Sequence, residues 1–301
     1  MESNNIDVID NKKYLIWHIE GGLGKNVAAT AILKGIKETY SDRKLIMVVS
    51  HPEIFLNNPY IYKVFPIGNS PYFYEDFIEN KDTLIFRHEP YHQTGHIHKN
   101  KHLINNWCDL LNVEYKDQTP QLYPNYSEKI NTKKWFRDKP IIVLQTSGGP
   151  LENKNIYSWC RDMPQDIAEI IVDKYKNTHH IYHITRRSGY GLSNVERIDY
   201  KLSNMELFGI LPVSSKRFLI DSSLQHAATA INLKSTVFWI GTSPNVFGYE
   251  LHNNIVANKP KKKNQLIGSY LFDYQFDYNV HECPYSTIEE MFNINEILKI
   301  I

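Results

Sequence analysis

The strongest constraint on this fold is an alternation of short apolar runs with segments of helical spacing, played through twice. In the first series Tyr14-Leu-Ile-Trp17, Leu45-Ile-Met-Val-Val49 and Thr83-Leu-Ile-Phe86 are the strand candidates. Such brief unbroken runs suit strands covered on both faces. Between and after them, Val27 to Tyr40 carries Val27, Ala31, Ile32, Gly35 and Ile36, and His102 to Leu111 carries Leu103, Trp107, Leu110 and Leu111, both at helical spacing. His51-Pro-Glu opens a short helix. Residues 112–138 are polar, contain Pro120 and Pro124, and show no sustained period. A second series follows, with strands at Pro140–Leu144, His180–Ile184, Arg217–Ile220 and Thr236–Ile240. Its helices are at Pro164–Tyr175, Met205–Leu211 and Ser223–Ile231, with a closing one over Ser286–Ile301. The pattern predicts an α/β chain of two Rossmann-like, doubly wound domains facing an interdomain cleft. The expected boundaries are 1–130, 131–285 and a closing helix at 286–301.

Totals narrow the function. The chain has 301 residues and a formal net charge of +1, so no broad basic footprint for nucleic acid is present. Its one basic run, Lys259-Pro-Lys-Lys-Lys263, reads as a solvated loop. Cys108, Cys160 and Cys283 lie far apart, which argues for a reduced compartment over a disulfide framework. The polar start MESNNIDVIDNKK is unlike a signal peptide, and no apolar run approaches the ~20 residues of a membrane span. A cytoplasmic protein without an integral membrane segment is expected.

The turn His18-Ile-Glu-Gly-Gly-Leu-Gly-Lys-Asn26 leads from strand to helix. It fits neither the P-loop, which needs Gly at 19 and Ser or Thr at 26, nor the dinucleotide fingerprint. Two readings stay open: a helix N-terminus that receives an anion or hydroxyl, or a tight turn whose glycines admit a neighbouring helix. Asp221-Ser-Ser-Leu-Gln-His226 stands at the end of a later strand, where Ser223 and Leu224 N–H groups make a pyrophosphate cradle plausible and an ordinary N-cap equally natural. Gln145-Thr-Ser-Gly-Gly-Pro150 suits a phosphate loop or a generic turn. His88, His92, His96, His98 and His102 invite a metal reading, but Gly95 interrupts them and Lys99 and Lys101 add positive charge. A polar loop facing substrate, with His92 in it, is preferred, and no metal or organic cofactor is expected.

Three stretches resemble glycosyltransferase family 9, the heptosyltransferases, which have the GT-B fold. Residues 15–65 look like that family's opening, ending in Asn58-Pro-Tyr60. Residues 202–249 are similar to its donor segment, with Asp221, the Ser222-Ser223 pair, His226 and Gly241-Thr-Ser-Pro244. Residues 141–150 and the Lys154 region look like its first donor-domain loop. The Gly21-Gly-Leu23 turn also resembles that of starch and glycogen synthases, another GT-B group. The resemblance implies inverting, metal-independent transfer from a nucleotide-diphosphate sugar, ADP-heptose or another, to an acceptor hydroxyl. It implies that Thr146, Ser147, Lys154, Asp221, Ser222, Ser223, Leu224 and His226 serve the donor, and that Gly22, Leu23, Gly24 and Asn26 form the acceptor loop. It also implies that the last helix packs back on the first domain. The acceptor would be a glycan, a small molecule, a protein or a modified base in DNA.

One departure matters. Where the family has a catalytic aspartate after the loop glycine, this chain has Lys25. A lysine near its usual pKa of ~10.4 is no base. Either another carboxylate takes the role, with Glu20 and Glu89 the nearest substitutes, or Lys25 serves the diphosphate, or catalysis in the family's sense is lost. A catalytically inactive nucleotide-sugar-binding protein of the same fold is the alternative, and a metal hydrolase on the histidine loop is a weaker third.

Overall fold

The computed structural model describes residues 10–68, 70–98, 100–125, 132–148, 158–198, 202–259, 283 and 285–301, with the side chains of 10 and 11 left aside. Lys154 and the basic run from 260 onward therefore lie outside the described residues.

Two separate parallel sheets carry the structure. In the first, β1 (Asp10–Ile19), β2 (Lys44–Val49), β3 (Lys63–Pro66) and β4 (Lys81–Phe86) lie in the order β3-β2-β1-β4. In the second, β5 (Ile141–Gln145), β6 (His180–Ile184), β7 (Glu196–Arg197), β8 (Ser214–Ile220), β9 (Thr236–Trp239) and β10 (Asn253–Val256) lie in the order β10-β9-β8-β5-β6-β7. All strands of the first sheet precede residue 87 and all of the second follow residue 140. The central strands are the unbroken apolar runs, and every residue of β5 is buried. The short edge strands β3, β7 and β10 are half-exposed or exposed.

The helix expected over Val27–Tyr40 starts earlier and is broken. Helix α1 runs Leu23–Ala29, a 3-10 turn covers Thr30–Ile32, and α2 runs Leu33–Thr39. Thr30 explains the break: its hydroxyl donates back to the Val27 carbonyl at 2.7 Å and accepts the Gln121 N–H at 2.9 Å. Such back-bonding competes with the helix ladder. Helix α3 (Phe73–Phe77), α4 (Thr94–Ile97) and α5 (Leu103–Leu110) complete the first half.

In the second half α6 (Gln165–Tyr175) begins after Pro164, α7 (Asn204–Phe208) is held by a Ser203–Glu206 capping box, and α8 (Ser223–Ala230) and α9 (Pro244–Phe247) follow β8 and β9. The single closing helix of the sequence reading is two, α10 (Ile288–Met291) and α11 (Ile294–Ile300). Phe292 leaves helical geometry to place its ring edge-on to Phe238, and Asn293 caps the next helix. These residues pack on the second sheet with Phe238, Ile142 and Tyr175, not back on the first domain as expected from the sequence. The Lys174 ammonium adds a 2.7 Å bond to the Ile301 carbonyl.

Helices α1 and α8 join the two sheets through one buried cluster that contains Leu15, Val27 and Ala28 from one side and Leu224, Ala227 and Trp239 from the other. Small residues let these helices come close. Among the described residues no helix is long and apolar enough to cross a membrane.

Candidate active site

At the carboxyl edge of the first sheet β1 delivers His18, Ile19 and Glu20, and the chain leaving β4 delivers Arg87, His88 and Glu89. With Lys25 from α1 and Trp107 from α5 they line a cleft of about 120 Å³. All three side chains expected to bear on catalysis, Glu20, Lys25 and Glu89, line it. Each carboxylate has a cation. Glu20 accepts from Arg87 at 2.6 Å, and Lys25 donates to Glu89. The Lys25 side chain is 8% exposed and that of Glu89 33%, so the ammonium is the buried member of its pair. The Tyr91 ring faces the same ammonium, its centroid 5.0 Å away, and the Tyr91 N–H donates to Glu89 at 3.3 Å. Burial lowers the His18 pKa, with Arg87 adding to the shift and Glu20 opposing it.

The glycine turn is shaped from within. Gly21 has φ +101°, the left-handed region that favours glycine. The Asn26 amide donates to the Gly21 and Gly22 carbonyls at 3.3 and 3.0 Å, so Asn26 staples the turn. Gly22 is the exposed N-cap and Leu23 opens α1 half-buried. Gly24 answers the question its motif poses. A Cβ there would stand 3.1 Å from His226 Cδ2 and 3.4 Å from the Ser223 backbone, so this glycine admits helix α8. The glycine turn and the N-terminus of α8 are thus in contact, with Lys25 the next residue along.

In the second unit Asp221 directly follows β8 and is buried. Burial raises its pKa, and the Arg161 charge opposes the shift. Ser222 is the N-cap of α8 without a side-chain cap bond, and the Leu224 side chain is buried in the core. His226 is buried, with Nδ1 2.7 Å from the Tyr249 hydroxyl. Burial, aided by His102 and His252, pushes its pKa down to about 3, so the ring is neutral at physiological pH. The 145–148 loop lies alongside, since a Cβ on Gly148 would meet Ser222 Oγ at 3.6 Å. Its hydroxyls, however, turn to β6: Thr146 Oγ1 is 2.7 Å from His183 Nε2, and Ser147 Oγ accepts the Arg186 N–H at 2.6 Å.

The histidines disperse. His92 is exposed at the end of the 3-10 turn Pro90–His92, outside the cleft lining. His96 is buried between Tyr91 and Phe247, and burial lowers its pKa to about 4. His102 accepts the Ile104 N–H on Nδ1 and donates from Nε2 to the Gly248 carbonyl at 2.9 Å, bridging the two halves as a neutral ring. Among the described residues no three His, Cys, Asp or Glu side chains converge as metal ligands.

No family model matches this sequence, and no curated protein sequence does. Solved structures do. TibC, a dodecameric iron-containing heptosyltransferase of Escherichia coli in complex with ADP-D-β-D-heptose, superposes with TM-score 0.65 at 14% identity, over 97% of this chain and 76% of its own. E. coli ADP-heptose LPS heptosyltransferase II gives 0.57 at 11% identity over 95% and 99%. A glycosyl transferase of family 9 from Veillonella parvula gives 0.56 at 9% identity over 82% and 86%. The fold is GT-B. At these identities the likeness concerns the fold, and the sequence resemblance to the heptosyltransferases extends that far. Within the GT-B frame the Lys25 cleft belongs to the first Rossmann-like unit, and the Asp221 and Thr146 loops to the second.

Several residues escaped the sequence reading. Arg87 carries no motif, although it lies two residues before Glu89, and His18 opens the glycine turn without any residue pattern that marks it for the cleft. Asp162 and Arg186 reach the loop after β5 from segments that nothing local marks. They become visible once β5, β6, β8 and β9 end side by side.

Proposed function

We propose that the protein is a glycosyltransferase that moves a sugar from a nucleotide-diphosphate sugar to an acceptor hydroxyl, with inversion and without a metal ion. The observation that carries this reading is the Lys25–Glu89 pair in the cleft beside Gly24, itself against the N-terminus of α8. The position where the resembled family has an aspartate holds a lysine, and that lysine draws a carboxylate from the end of β4 into the same cleft. Glu89 would take the proton of the acceptor hydroxyl as its oxygen attacks the anomeric carbon. The bond from that carbon to the diphosphate oxygen breaks on the opposite face, and the diphosphate leaves with the electron pair. N–H groups of Ser223 and Leu224 at the start of α8 would hold its growing charge. Glu20, a half-exposed carboxylate paired with Arg87, is the second candidate base.

Fold relatives support the donor class; one of them is complexed with ADP-D-β-D-heptose. That relative is iron-containing; among the described residues of this chain no three His, Cys, Asp or Glu side chains converge as metal ligands, and no step above runs through a metal. A cytoplasmic site of action and a glycan, protein, small-molecule or DNA-base acceptor belong to the same reading. A panel of nucleotide sugars tests it: one donor should raise the melting temperature and yield transfer or slow hydrolysis with EDTA present. Glu89→Gln should abolish turnover while keeping the melting shift. Turnover surviving in both Glu89→Gln and Glu20→Gln refutes the assignment of the base.

Both carboxylates are closed in ion pairs, which favours one alternative, a nucleotide-sugar-binding protein without turnover. A donor that shifts melting yet shows neither transfer nor hydrolysis would establish it.

A further inference from the structure

The segment Cys160–Met163 runs across the carboxyl ends of the second sheet. The Cys160 carbonyl accepts the Gly241 N–H at 2.7 Å beyond β9, and the Met163 N–H donates to the Thr146 carbonyl at 2.9 Å beyond β5. Between them Asp162 reaches two partners. One carboxylate oxygen accepts the Gly148 N–H at 3.3 Å, and the other pairs with the Arg186 guanidinium. Arg186 in turn donates from Nη1 to the Gly148 carbonyl at 3.0 Å and from its backbone N–H to Ser147 Oγ at 2.6 Å. Gly148 is therefore gripped at both its N–H and its C=O by one ion pair, in the loop that faces Ser222.

The pair is deeply placed, with Arg186 6% and Asp162 17% exposed. Burying two charges returns little net stability, because their desolvation offsets their attraction. What the pair does deliver is geometry. It is also incomplete, since the buried Arg186 Nε has no hydrogen-bond partner. A buried N–H without an acceptor is a standing cost, and an anionic oxygen brought next to it would remove that cost.

We propose that Asp162 and Arg186 form a positioning clasp that shapes the Thr146–Gly148 loop for the diphosphate of the donor, with Arg186 as the cation on that side of the site. The inference rests on the donor reading given above. The clasp acts through the loop, so it sets donor affinity and leaves the proton transfer near Glu89 untouched.

The test uses the full chain, calorimetry with ADP, UDP, GDP and CDP, and steady-state kinetics with the donor found by the panel. Asp162→Asn and Arg186→Gln should each weaken binding of the nucleoside diphosphate that the native protein takes by at least tenfold. Donor KM should rise equally, with kcat within about threefold of native. Acting on one clasp, the double variant should be no weaker than the worse single one. Where Asp162→Asn fails to fold, Asp162→Glu keeps the charge, displaces the carboxylate by one methylene, and should still cost at least threefold in affinity. Native-like diphosphate affinity in folded variants overturns the clasp and leaves the donor reading standing. No nucleoside diphosphate binding by the native protein overturns both. A loss of kcat at unchanged KM also overturns the clasp.

Discussion

Glu89→Gln should destabilise the protein more than Lys25→Met, although the two substitutions break the same pair. The asymmetry comes from burial: the Lys25 side chain is 8% exposed and Glu89 33%. Removing the carboxylate strands an ammonium whose remaining neighbour is the Tyr91 ring at 5.0 Å. Breaking a fully buried pair costs about 3–5 kcal/mol. Partial exposure of Glu89 and the carbonyl of glutamine reduce this to roughly 1–2 kcal/mol. Removing the lysine instead takes away the buried charge, puts a similar apolar stem in its place, and leaves a carboxylate with water and the Tyr91 N–H. That should cost no more than about 0.5–1 kcal/mol. In a chain of this size 1 kcal/mol moves Tm by roughly 1.5–2 °C. Melting curves of the two variants and their double should therefore order as Lys25→Met nearest native and Glu89→Gln lowest. The double should lie above Glu89→Gln, the coupling expected of residues in contact. A Lys25→Met variant that melts below Glu89→Gln refutes the reasoning. Activity adds an independent axis, since losing a general base costs about 10²–10⁴ in rate whatever happens to Tm.

Two further outcomes follow from the packing. Gly24→Val places methyl groups where a Cβ alone would stand 3.1 Å from His226; overpacking of this kind should cost about 1–3 kcal/mol, and a variant melting like native would mean the helices can separate freely. Acid should destabilise the fold early, because burial holds His96, His102 and His183 down to about 4 and His226 to about 3. The unfolded chain takes those protons near pH 6.5, so the stability is complete above that value and is lost as pH falls toward the folded values. Each such histidine contributes at most about 1.4 kcal/mol per pH unit, so urea unfolding midpoints at pH 7.5, 6.5, 5.5 and 5.0 should fall steeply, and a flat profile would contradict the neutral rings.

The central strands were legible because a strand covered on both faces must be apolar at every position, as β5 is. The edge strands β3, β7 and β10 were not, since half-exposed residues leave no period to detect. The broken first helix was hidden for a different reason. Thr30 bends the ladder with help from the Gln121 N–H, a partner 91 residues away. The candidate site divides in the same manner. Lys25 could be named because the resembled family has an aspartate there, and Glu20 and Glu89 because they stand at neighbouring strand ends, which in doubly wound sheets point at the cleft. That Lys25 and Glu89 are partners, 64 positions apart, could not.

The residues alone determined the alternation of strands and helices, the two-sheet plan and the presence of a lysine where the resembled family has an aspartate. Those properties are local, written in period and in single positions. Tertiary structure decided that Gly24 serves a neighbouring helix, that the Thr146 and Ser147 hydroxyls turn to β6, and that Asp162 grips Gly148 through Arg186. It also placed the closing helices on the second sheet. Each of these is a contact between segments distant along the chain, chosen by what else competes for the same buried space, and no local pattern encodes the outcome of that competition.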